Sequence, residues 1–524
     1  MNDIKILDCT LRDGGYINNW EFGNNTIKAI IKNLVNSNVD IIETGFIRNV
    51  THDENSSVFS SIDQIKSVIE PKSSRVLYAA MVEQHNYDDR LISNYDGKSI
   101  DIIRLTFRKN EWNEAKKTIK DIMKKGYKVC VQPVGTASYD DQLLLDLLKE
   151  VNEIKPFAFY LVDTLGLMYR HDMRRLFYLI DNNLSKDILL GFHSHNNLQM
   201  SFANAQEMMR LSNNRKIILD SSCYGMGRGV GNLTTELIID YINNNIEQKY
   251  SLAPILNIVD KYLMPIYAET RWGYDLPYFL SATVKCHPNY AAYLMKKQTL
   301  EIEKIEKILS LIPIDKRDEY DNCLIEKLYF EMQNYEIDDK NSYIELKKIL
   351  ENKDVVILGL GASIINYKSE IDKKLKDKIV ISVNYLPDNY SVNAVFVSNE
   401  KRLDSIEINN CKTIIATSNL KTKIDEAIFF DYSSLLGEGN ALDNAGAMLI
   451  KILKKLDVNK IYLAGFDGYD VDASMNFAIS KLKTSIDYDT AKRKNKDISK
   501  QLKNALSEVD YEFITPTKYE ISNF

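Results

Sequence analysis

Short apolar runs alternate with amphipathic stretches along the first half of the chain. Each run is apolar at consecutive positions, which is the pattern of parallel strands that are buried on both faces. Eight runs of this kind occur: Ile4–Asp8, Asp40–Thr44, Val76–Met81, Ile100–Thr106, Lys128–Val134, Phe157–Val162, Ile188–His193 and Ile217–Ser221. Helical patterns lie between most of them, among them Thr26–Asn36, Glu114–Lys125 and Tyr139–Ile154. The alternation predicts a closed (β/α)8 barrel, with an open doubly wound sheet as the alternative.

The hydrophobic pattern changes twice after the barrel. Helical periodicity without strand signals fills the segment up to residue 350, for example in Leu252–Tyr267 and Cys323–Asn334. Apolar runs then return at Val355–Gly359, Ile379–Asn384, Ala394–Ser398, Thr413–Ala416 and Lys460–Ala464. We therefore expect an α/β protein in three parts: a TIM barrel over residues 1–240, a helical extension over 241–350, and an open Rossmann-like α/β domain over 351–524.

Composition and charge exclude several classes of function. The 524-residue chain has a net charge of -6, so it lacks the excess of basic residues that is typical of nucleic-acid-binding proteins. Its six cysteines show no CxxC spacing, so we expect reduced thiols rather than a zinc knuckle or a disulfide framework. No run of about 18 apolar residues occurs, and the first residues lack the apolar core of a signal peptide. We expect a cytoplasmic protein without a membrane span, and we also expect a homo-oligomer.

Candidate chemistry lies where the strands end, because a barrel of this type carries its active site at the carboxyl ends of its strands. Arg12 and Asp13 follow the first strand, and His193 and His195 come at the end of the seventh. Two histidines at positions i and i+2 of extended chain point to the same side. Both imidazoles can then reach one ion, and a carboxylate from another strand completes the set. The pattern predicts a divalent metal bound by Asp13, His193 and His195.

Other polar residues at the predicted strand ends are less specific. A glycine-rich turn, Tyr224–Asn232, follows the eighth strand and offers Asn232 as a fourth oxygen ligand, while its backbone amides could face an anion. Glu43, Arg104 and Asp163 also lie near strand ends. Each of these three residues has two alternative roles: a structural one, as part of an ion pair or loop cap within the barrel, or a contact with the substrate.

Taken together, these motifs resemble the pyruvate-aldolase and acyl-CoA Claisen-condensation superfamily, which includes 4-hydroxy-2-oxovalerate aldolase and hydroxymethylglutaryl-CoA lyase. The resemblance covers residues 4–290 and includes Thr10–Gly14, His193–His195, Asp163–Gly166 and the glycine-rich turn up to Glu236. It implies Mn²⁺ or Mg²⁺ at the predicted metal site, and it implies that Arg12 stabilises an enolate. A small-molecule 2-oxo acid and an aldehyde are the implied substrates.

The general base does not carry over from the resemblance. The aldolase branch has a histidine shortly after the Arg-Asp pair, where this chain has Tyr16, and the lyase branch has a cysteine in the glycine-rich turn, where this chain has Arg228. In the aldolase branch a tyrosine from the helical extension enters the active site, and Tyr290 matches it, with a plain packing role as the alternative. His287, Tyr16 and Tyr290 are therefore the candidate catalytic acids and bases besides Arg12.

The C-terminal part carries a second candidate site. Gly359, Gly361 and Ser363 follow one predicted strand, and Asn384 ends the next. With the later Leu463–Tyr469 segment, this layout resembles the Rossmann-like domain of bacterial sialyltransferases and motility-associated glycosyltransferase-like proteins. The resemblance implies that these four residues face a nucleotide or nucleotide sugar. The alternative is a degenerate scaffold or docking domain.

The sequence as a whole predicts a metal-dependent aldolase, or 2-oxo acid lyase, that acts through an enolate. The second domain suggests a sugar-derived oxo acid or aldehyde in surface-polysaccharide synthesis, by analogy with its relatives. One alternative is an acyl-CoA-dependent Claisen condensation of the isopropylmalate or citramalate synthase type. Another is a non-catalytic metal-binding scaffold for the nucleotide-binding domain.

Overall fold

The chain folds into two compact units. The computed structural model describes residues 3–212, 214–403, 406, 413–437, 443–472, 476–477 and 488–521. One unit comprises Met1–Ala292 and Ile312–Asp321, and the other comprises Tyr293–Leu311 and Asn322–Phe524. The predicted helical extension over 241–350 is thus divided between the two units. Of the six cysteines, Cys411 lies outside the described residues.

The first unit is a closed barrel of eight parallel strands, as predicted. The barrel strands are β1 (Ile4–Asp8), β2 (Ile41–Ile47), β4 (Leu77–Glu83), β5 (Ile102–Phe107), β6 (Lys128–Pro133), β7 (Ala158–Asp163), β8 (Leu189–Ser194) and β9 (Ile217–Ser221). The barrel closes because β1 pairs with both β2 and β9. A short strand, β3 (Val58–Phe59), pairs with β2 outside the barrel. The open-sheet alternative is therefore wrong for this half of the chain.

The second unit contains an open sheet of seven parallel strands within the described residues. These are β10 (Asp354–Leu358), β11 (Ile379–Val383), β12 (Ala394–Val397), β13 (Ile414–Thr417), β14 (Ile428–Phe430), β15 (Lys460–Ala464) and β16 (Tyr511–Phe513). The spatial order is β14-β13-β12-β11-β10-β15-β16. The order reverses direction at β10 and β15, which creates a crevice at the carboxyl ends of these strands.

Amphipathic helices cover the strands of both units. In Asn24–Asn36, for example, Ile27, Ile30, Ile31 and Leu34 are buried, which is the spacing of one helix face. The described α-helices that lie before residue 300 are Gly15–Asn18, Asn24–Asn36, Ile62–Ile69, Trp112–Lys124, Asp141–Ile154, Arg170–Asn183, Ser201–Leu211, Thr235–Asn245, Leu252–Ile258, Met264–Glu269, Leu276–Val284 and Pro288–Lys297. Those that follow are Ile302–Ser310, Asn322–Gln333, Lys340–Leu350, Ser363–Asn366, Lys368–Leu375, Glu400–Leu403, Tyr432–Leu435, Ala445–Lys454 and Tyr488–Leu506. None of these described helices is both long and apolar enough to cross a membrane.

The barrel interior is apolar in one region and charged in another. Leu7, Ile41, Ile102 and Ile218 belong to an apolar cluster of strand residues. Each fully buried aliphatic side chain of this kind contributes about 1.5–3 kcal/mol to stability. Arg104 on β5 is also fully buried, and it forms ion pairs rather than apolar contacts. The charged region lies beside the residues that the sequence assigned to a metal.

Candidate metal centre

The carboxyl ends of the barrel strands carry a buried group of one carboxylate and two imidazoles. Asp13 lies in the turn after β1, His193 lies near the end of β8, and His195 follows that strand directly. One potential ligand atom from each side chain lies within 4.8 Å of the other two, and all three side chains are buried. The structure therefore brings together the three residues that the sequence assigned to a metal.

A tight turn positions Asp13. The backbone amides of Arg12 and Asp13 both donate to the carbonyl oxygen of Cys9, at 3.1 and 2.8 Å. Gly14 follows, and a Cβ at this position would lie only 2.3 Å from the carbonyl oxygen of Thr10. The turn thus requires a glycine at position 14, directly after Asp13.

Backbone pairing brings Asn232 to the same place. His195 and Asn232 form an isolated antiparallel bridge, and the amide of His195 donates to the carbonyl of Asp163 at 3.2 Å. Nδ2 of Asn232 then lies 2.5 Å from Oδ2 of Asp13. The glycine-rich turn therefore delivers its last residue to the carboxylate of the metal group, as the proposed fourth ligand requires.

The group suits a divalent cation in three respects. Its donors are a carboxylate and two imidazoles, a set that proteins use for divalent transition metals. Nδ1 of His195 and Oδ1 of Asn232 are buried without a hydrogen-bond partner among the described residues, which is rare unless something else fills that role. A Cβ on Gly227 would lie 2.3 Å from Nδ2 of Asn232 and 2.9 Å from Oδ2 of Asp13. The glycine thus keeps this space open.

Asp220 orients one of the two imidazoles. Nδ1 of His193 lies 3.0 Å from Oδ2 of Asp220 on β9. Because a carboxylate accepts, Nδ1 carries the proton, and Nε2 is left with a lone pair for a cation. Arg104 binds the same carboxylate and also lies 2.6 Å from Glu43. A buried charge network in the barrel therefore fixes the tautomer of His193.

Arg12 connects this charge network to the metal group. Its Nε donates to Glu43 at 2.9 Å, and its NH1 donates to Oδ1 of Asp13 at 2.5 Å. Its backbone carbonyl accepts a hydrogen bond from the Trp20 indole at 2.7 Å. The remaining NH2 group is buried and has no partner among the residues that the structure describes. Arg12 is therefore held rigidly with one donor group still available.

The electrostatics of the site favour metal-binding protonation states. Burial alone would raise the pKa of Asp13, but the charge of Arg12 and the two imidazoles bring it below its usual value. Burial lowers the pKa of His195 to about 4, against the opposing effect of Asp13. At neutral pH the site thus holds an ionised carboxylate beside an imidazole without charge, and metal ligands require those states.

A second group of polar side chains includes Tyr16, Arg228 and His287. The guanidinium of Arg228 lies 5.8 Å from the ring centre of Tyr16, and its NH2 lies 3.1 Å from Nε2 of His287. Burial, followed by the charge of Arg228, lowers the pKa of His287 to about 4. Tyr16 is 37% exposed, and partial burial together with Asp13 raises its pKa. At neutral pH His287 is thus a neutral imidazole that can accept a proton.

Comparison with known families agrees with this arrangement. Residues 3–260 match the HMGL-like family. The matched segment contains β1 to β9, and with them Arg12, Asp13, His193, His195 and Asn232. It ends before His287, so the family match does not extend to that histidine.

Two proteins with similar sequences are enzymes of oxo acids. The chain is 25% identical over 240 residues to an oxaloacetate decarboxylase from Mycobacterium tuberculosis, which covers 45% of this chain and 68% of that enzyme. It is also 25% identical over 242 residues to a 4-hydroxy-2-oxovalerate aldolase from Thermomicrobium roseum, covering 45% of this chain and 65% of that enzyme. A crystal structure of the N-terminal domain of a proposed aldolase from Bacteroides vulgatus is similar over 58% of this chain and 99% of that domain, with a TM-score of 0.50 and 25% identity.

The position of Tyr290 gives its side chain a structural contact. The ring is fully buried, and its hydroxyl lies 2.9 Å from the carbonyl of Lys316 and 2.7 Å from that of Glu319. The amide of Asp321 donates to the same hydroxyl at 3.0 Å. Three backbone groups therefore engage the hydroxyl, and Tyr290 anchors the segment around residue 319 instead of reaching a substrate.

The structure gives structural contacts to Glu43, Arg104 and Asp163, the three strand-end residues whose role was left open. Glu43 and Arg104 form the buried ion pair described above. Asp163 accepts from the amides of Leu167 and Met168 at 2.9 and 3.0 Å, so it caps the loop after β7. Burial raises the pKa of Asp163 to about 6. The loop-cap and ion-pair alternatives therefore account for these residues.

Sequence reasoning missed Asp220, which orients His193. The residue lies within the otherwise apolar run Ile217–Ser221, where its carboxylate is 1% exposed. A charged residue in a strand that is buried on both faces needs a partner of opposite charge. That rule could have singled out Asp220, and Arg104 on β5 could have been found by the same rule.

The predicted nucleotide residues lie at the crevice of the second unit. Gly359, Gly361 and Asn384 line a cavity of about 730 Å³ at the carboxyl ends of β10 and β11. Ser363 begins a short helix, and both its amide and its hydroxyl donate to the carboxylate of Asp467. A Cβ on Gly361 would lie 2.4 Å from that same carboxylate. The glycine-rich loop therefore packs against an acidic side chain.

Proposed function

We propose that the barrel is a divalent-metal-dependent lyase, which makes or breaks the bond between C3 and C4 of a 2-oxo acid, so that C3 and the C2 carbonyl form an enolate. The observation that carries this proposal is the buried group of Asp13, His193 and His195, with Arg12 in direct contact with Asp13. The similarity to an oxaloacetate decarboxylase and a 4-hydroxy-2-oxovalerate aldolase supports a small 2-oxo acid as substrate and, for aldol chemistry, an aldehyde as its partner.

The metal group has a defined role in this proposal. Asp13, His193 and His195 would hold Mn²⁺ or Mg²⁺, and the side-chain oxygen of Asn232 would be a fourth ligand. A bound cation supplies a Lewis acid that polarises the substrate carbonyl. Asp220 keeps the proton of His193 on Nδ1, and Gly227 keeps the space beside Asp13 free of side-chain atoms.

Arg12 would stabilise the negative charge that develops on the substrate oxygen when the carbon–carbon bond breaks. Its NH2 group is buried and has no partner among the described residues, so it can donate to that oxygen without losing an existing contact. Glu43 and Asp13 hold the guanidinium in place before the substrate arrives. Prearranged donors in a site of low dielectric constant are among the largest contributions to catalysis.

His287 is the best-supported candidate for moving the proton. Its low pKa leaves the imidazole without charge at neutral pH. Its Nδ1 accepts from the amide of Asn289 at 3.2 Å, and its Nε2 lies 3.1 Å from NH2 of Arg228. The ring centre of Tyr16 lies 5.8 Å from the Arg228 guanidinium, and Tyr16 offers a phenol as proton donor. We propose that His287 accepts the proton and that Tyr16 assists at the substrate, in place of the histidine that the aldolase branch uses.

The proposal is tested by oxaloacetate decarboxylation and by cleavage of 4-hydroxy-2-oxo acids, each with Mn²⁺ or Mg²⁺ and after chelation. We expect metal-dependent pyruvate formation from at least one of these substrates, and no release of free thiol from acetyl-CoA with 2-oxo acids. Thiol release without lyase activity would instead establish the Claisen-condensation alternative. Absence of both reactions in protein that binds the metal would favour the scaffold alternative. A sugar-derived aldehyde as the physiological acceptor stays a prediction.

A further inference from the structure

The cavity of the second unit has a different chemical character from the glycine-rich loop at its edge. It lies where the strand order reverses, next to Gly359 after β10 and Gly465 after β15. Open parallel sheets bind ligands at this position. A Cβ on Gly359 would lie 2.6 Å from the carbonyl oxygen of Gly465. Close packing of the two loops therefore accounts for these glycines. The chemical class of a ligand has to be inferred from the side chains that line the rest of the cavity.

Cationic side chains dominate the rest of the cavity wall. Five of them line it, namely Lys296, Lys297, Arg402, Arg493 and Lys494, against the three carboxylates of Glu326, Asp443 and Asp467. Lys494 is only partly exposed, and its Nζ lies 4.6 Å from the ring centre of Tyr469. Burial, followed by the charges of Lys296 and Lys297, lowers the pKa of Lys494. Mutually repelling cations at a cavity indicate a site for an anion.

The three carboxylates of the wall are engaged by other groups. Asp443 accepts from the hydroxyl of Tyr329 at 2.5 Å, and Glu326 accepts from Tyr293 at 3.1 Å. Asp467 accepts from the amide and hydroxyl of Ser363. Among the described residues, none of the three forms a salt bridge with Lys297 or Lys494. The described wall of the cavity thus carries two more cationic than anionic side chains.

Asp467 decides how an anion would be oriented. In phosphate-binding loops, backbone amides at the start of a helix face the phosphate. Here the Ser363 amide faces the Asp467 carboxylate at 2.7 Å instead, so a phosphate at this loop would meet a like charge. A carboxylate does accept hydrogen bonds from ligand hydroxyl groups. The anion therefore belongs at the cationic wall, and a hydroxyl-bearing part belongs at the loop.

We propose that this cavity binds an organic phosphate ester, with its phosphate at Lys297, Lys494 and Arg402 and its hydroxyl-bearing part at Asp467. Arg402 and Tyr469, the ring over which Lys494 lies, line the same cavity. The ring of Phe477 lies 5.7 Å from the Arg402 guanidinium and adds an apolar surface to the wall. A nucleotide and a sugar phosphate share this chemistry.

The test is isothermal titration calorimetry on the full-length protein with four probes: uridine 5′-diphosphate, glucose 1-phosphate, inorganic pyrophosphate and phosphate-free uridine. We expect at least one ester to bind, more tightly than pyrophosphate, and uridine not to bind. Lys297→Gln and Lys494→Gln should each weaken ester binding about tenfold, since one charge-assisted hydrogen bond is lost. Lys496→Gln, an exposed lysine on the Lys494 helix that does not line the cavity, should bind like the unmodified protein.

Each result bears on a separate part of the proposal. The tighter of the two esters identifies a nucleotide or a sugar phosphate as the ligand class. Failure of both esters to bind, or equal binding by the Lys494→Gln and Lys496→Gln proteins, would overturn the proposed site. Equal affinity for pyrophosphate and the esters would overturn the role given to Asp467. The same titration of the His193→Ala protein should give unchanged affinities, so a failed lyase assay and a failed phosphate site remain distinguishable.

Discussion

Gly227 lies so close to Asn232 that a Cβ on the glycine would come within 2.3 Å of the asparagine Nδ2. The same Cβ would come within 2.9 Å of the Asp13 carboxylate. The glycine-rich turn thus serves the metal group by leaving room as well as by delivering Asn232. Backbone flexibility does not explain this glycine, since Gly227 is not among the residues with positive φ.

Replacing Gly227 should therefore remove metal binding without unfolding the barrel. In Gly227→Val, the added side chain would displace Asn232 and reach the space beside Asp13. We expect Mn²⁺ affinity, measured by calorimetry, to fall at least as far as in Asn232→Ala. The melting temperature without metal should stay close to that of the unmodified protein. Normal Mn²⁺ binding by Gly227→Val would show that the cation does not occupy this space.

The contact between His193 and Asp220 predicts a role in metal affinity for a residue that binds no metal. Asp220→Asn removes the charge that holds the His193 proton on Nδ1, and we expect Mn²⁺ affinity to fall about 10–100-fold. Arg104 also loses a partner, so stability should fall by up to about 3 kcal/mol. Asp101→Asn is the control, because Asp101 is a buried carboxylate bonded to Lys72 and Tyr78 rather than to a histidine. Equal metal affinity in both variants would contradict this role.

Arg12→Lys tests the arginine as a stabiliser of developing charge. A lysine keeps the charge but cannot contact Glu43, Asp13 and a substrate oxygen through separate nitrogens. We expect kcat to fall about 10²–10³-fold, as for other oxyanion-binding groups, while Mn²⁺ affinity is retained. Arg215→Lys is a matched control, since Arg215 is a buried arginine of the same unit that binds Asp181. An unchanged kcat in Arg12→Lys would remove Arg12 from the chemistry.

The pH dependence of kcat/KM should report on His287. Its pKa is lowered from 6.5 to about 4, and a base is active above its pKa, so the rate should be lost only as the pH falls toward about 4. Arg228 is one of the two causes of the lowered pKa. Arg228→Gln should therefore move the acid limb to higher pH, although burial keeps it below 6.5.

Two variants complete this pH experiment. His287→Gln should abolish the acid limb together with most of the activity. His171→Asn changes a histidine whose side chain is 79% exposed, and it should leave the profile as it is. A limb that does not move in Arg228→Gln would mean that another group titrates.

The barrel could be predicted from the sequence because its strands are short runs that must be apolar on both faces. The same logic placed Asp13, His193 and His195 at strand ends, and the fold brought them together. The division of residues 241–350 between the two units could not be predicted from the sequence. An amphipathic pattern shows that one face of a helix is buried, but it does not identify the element against which that face packs. The contacts of Tyr290 were not readable for a similar reason, since they depend on the path of residues 316–321.

Deuterium exchange into the methyl group of pyruvate tests the central claim most directly, because it reports removal of a proton next to the carbonyl without needing the partner aldehyde. The exchange is followed by mass spectrometry in ²H₂O with Mg²⁺ or Mn²⁺. We predict exchange that requires added metal, stops on chelation and is absent from His193→Ala protein that melts like the unmodified chain. Exchange that continues at the same rate without metal, or in His193→Ala, would contradict the metal-dependent lyase.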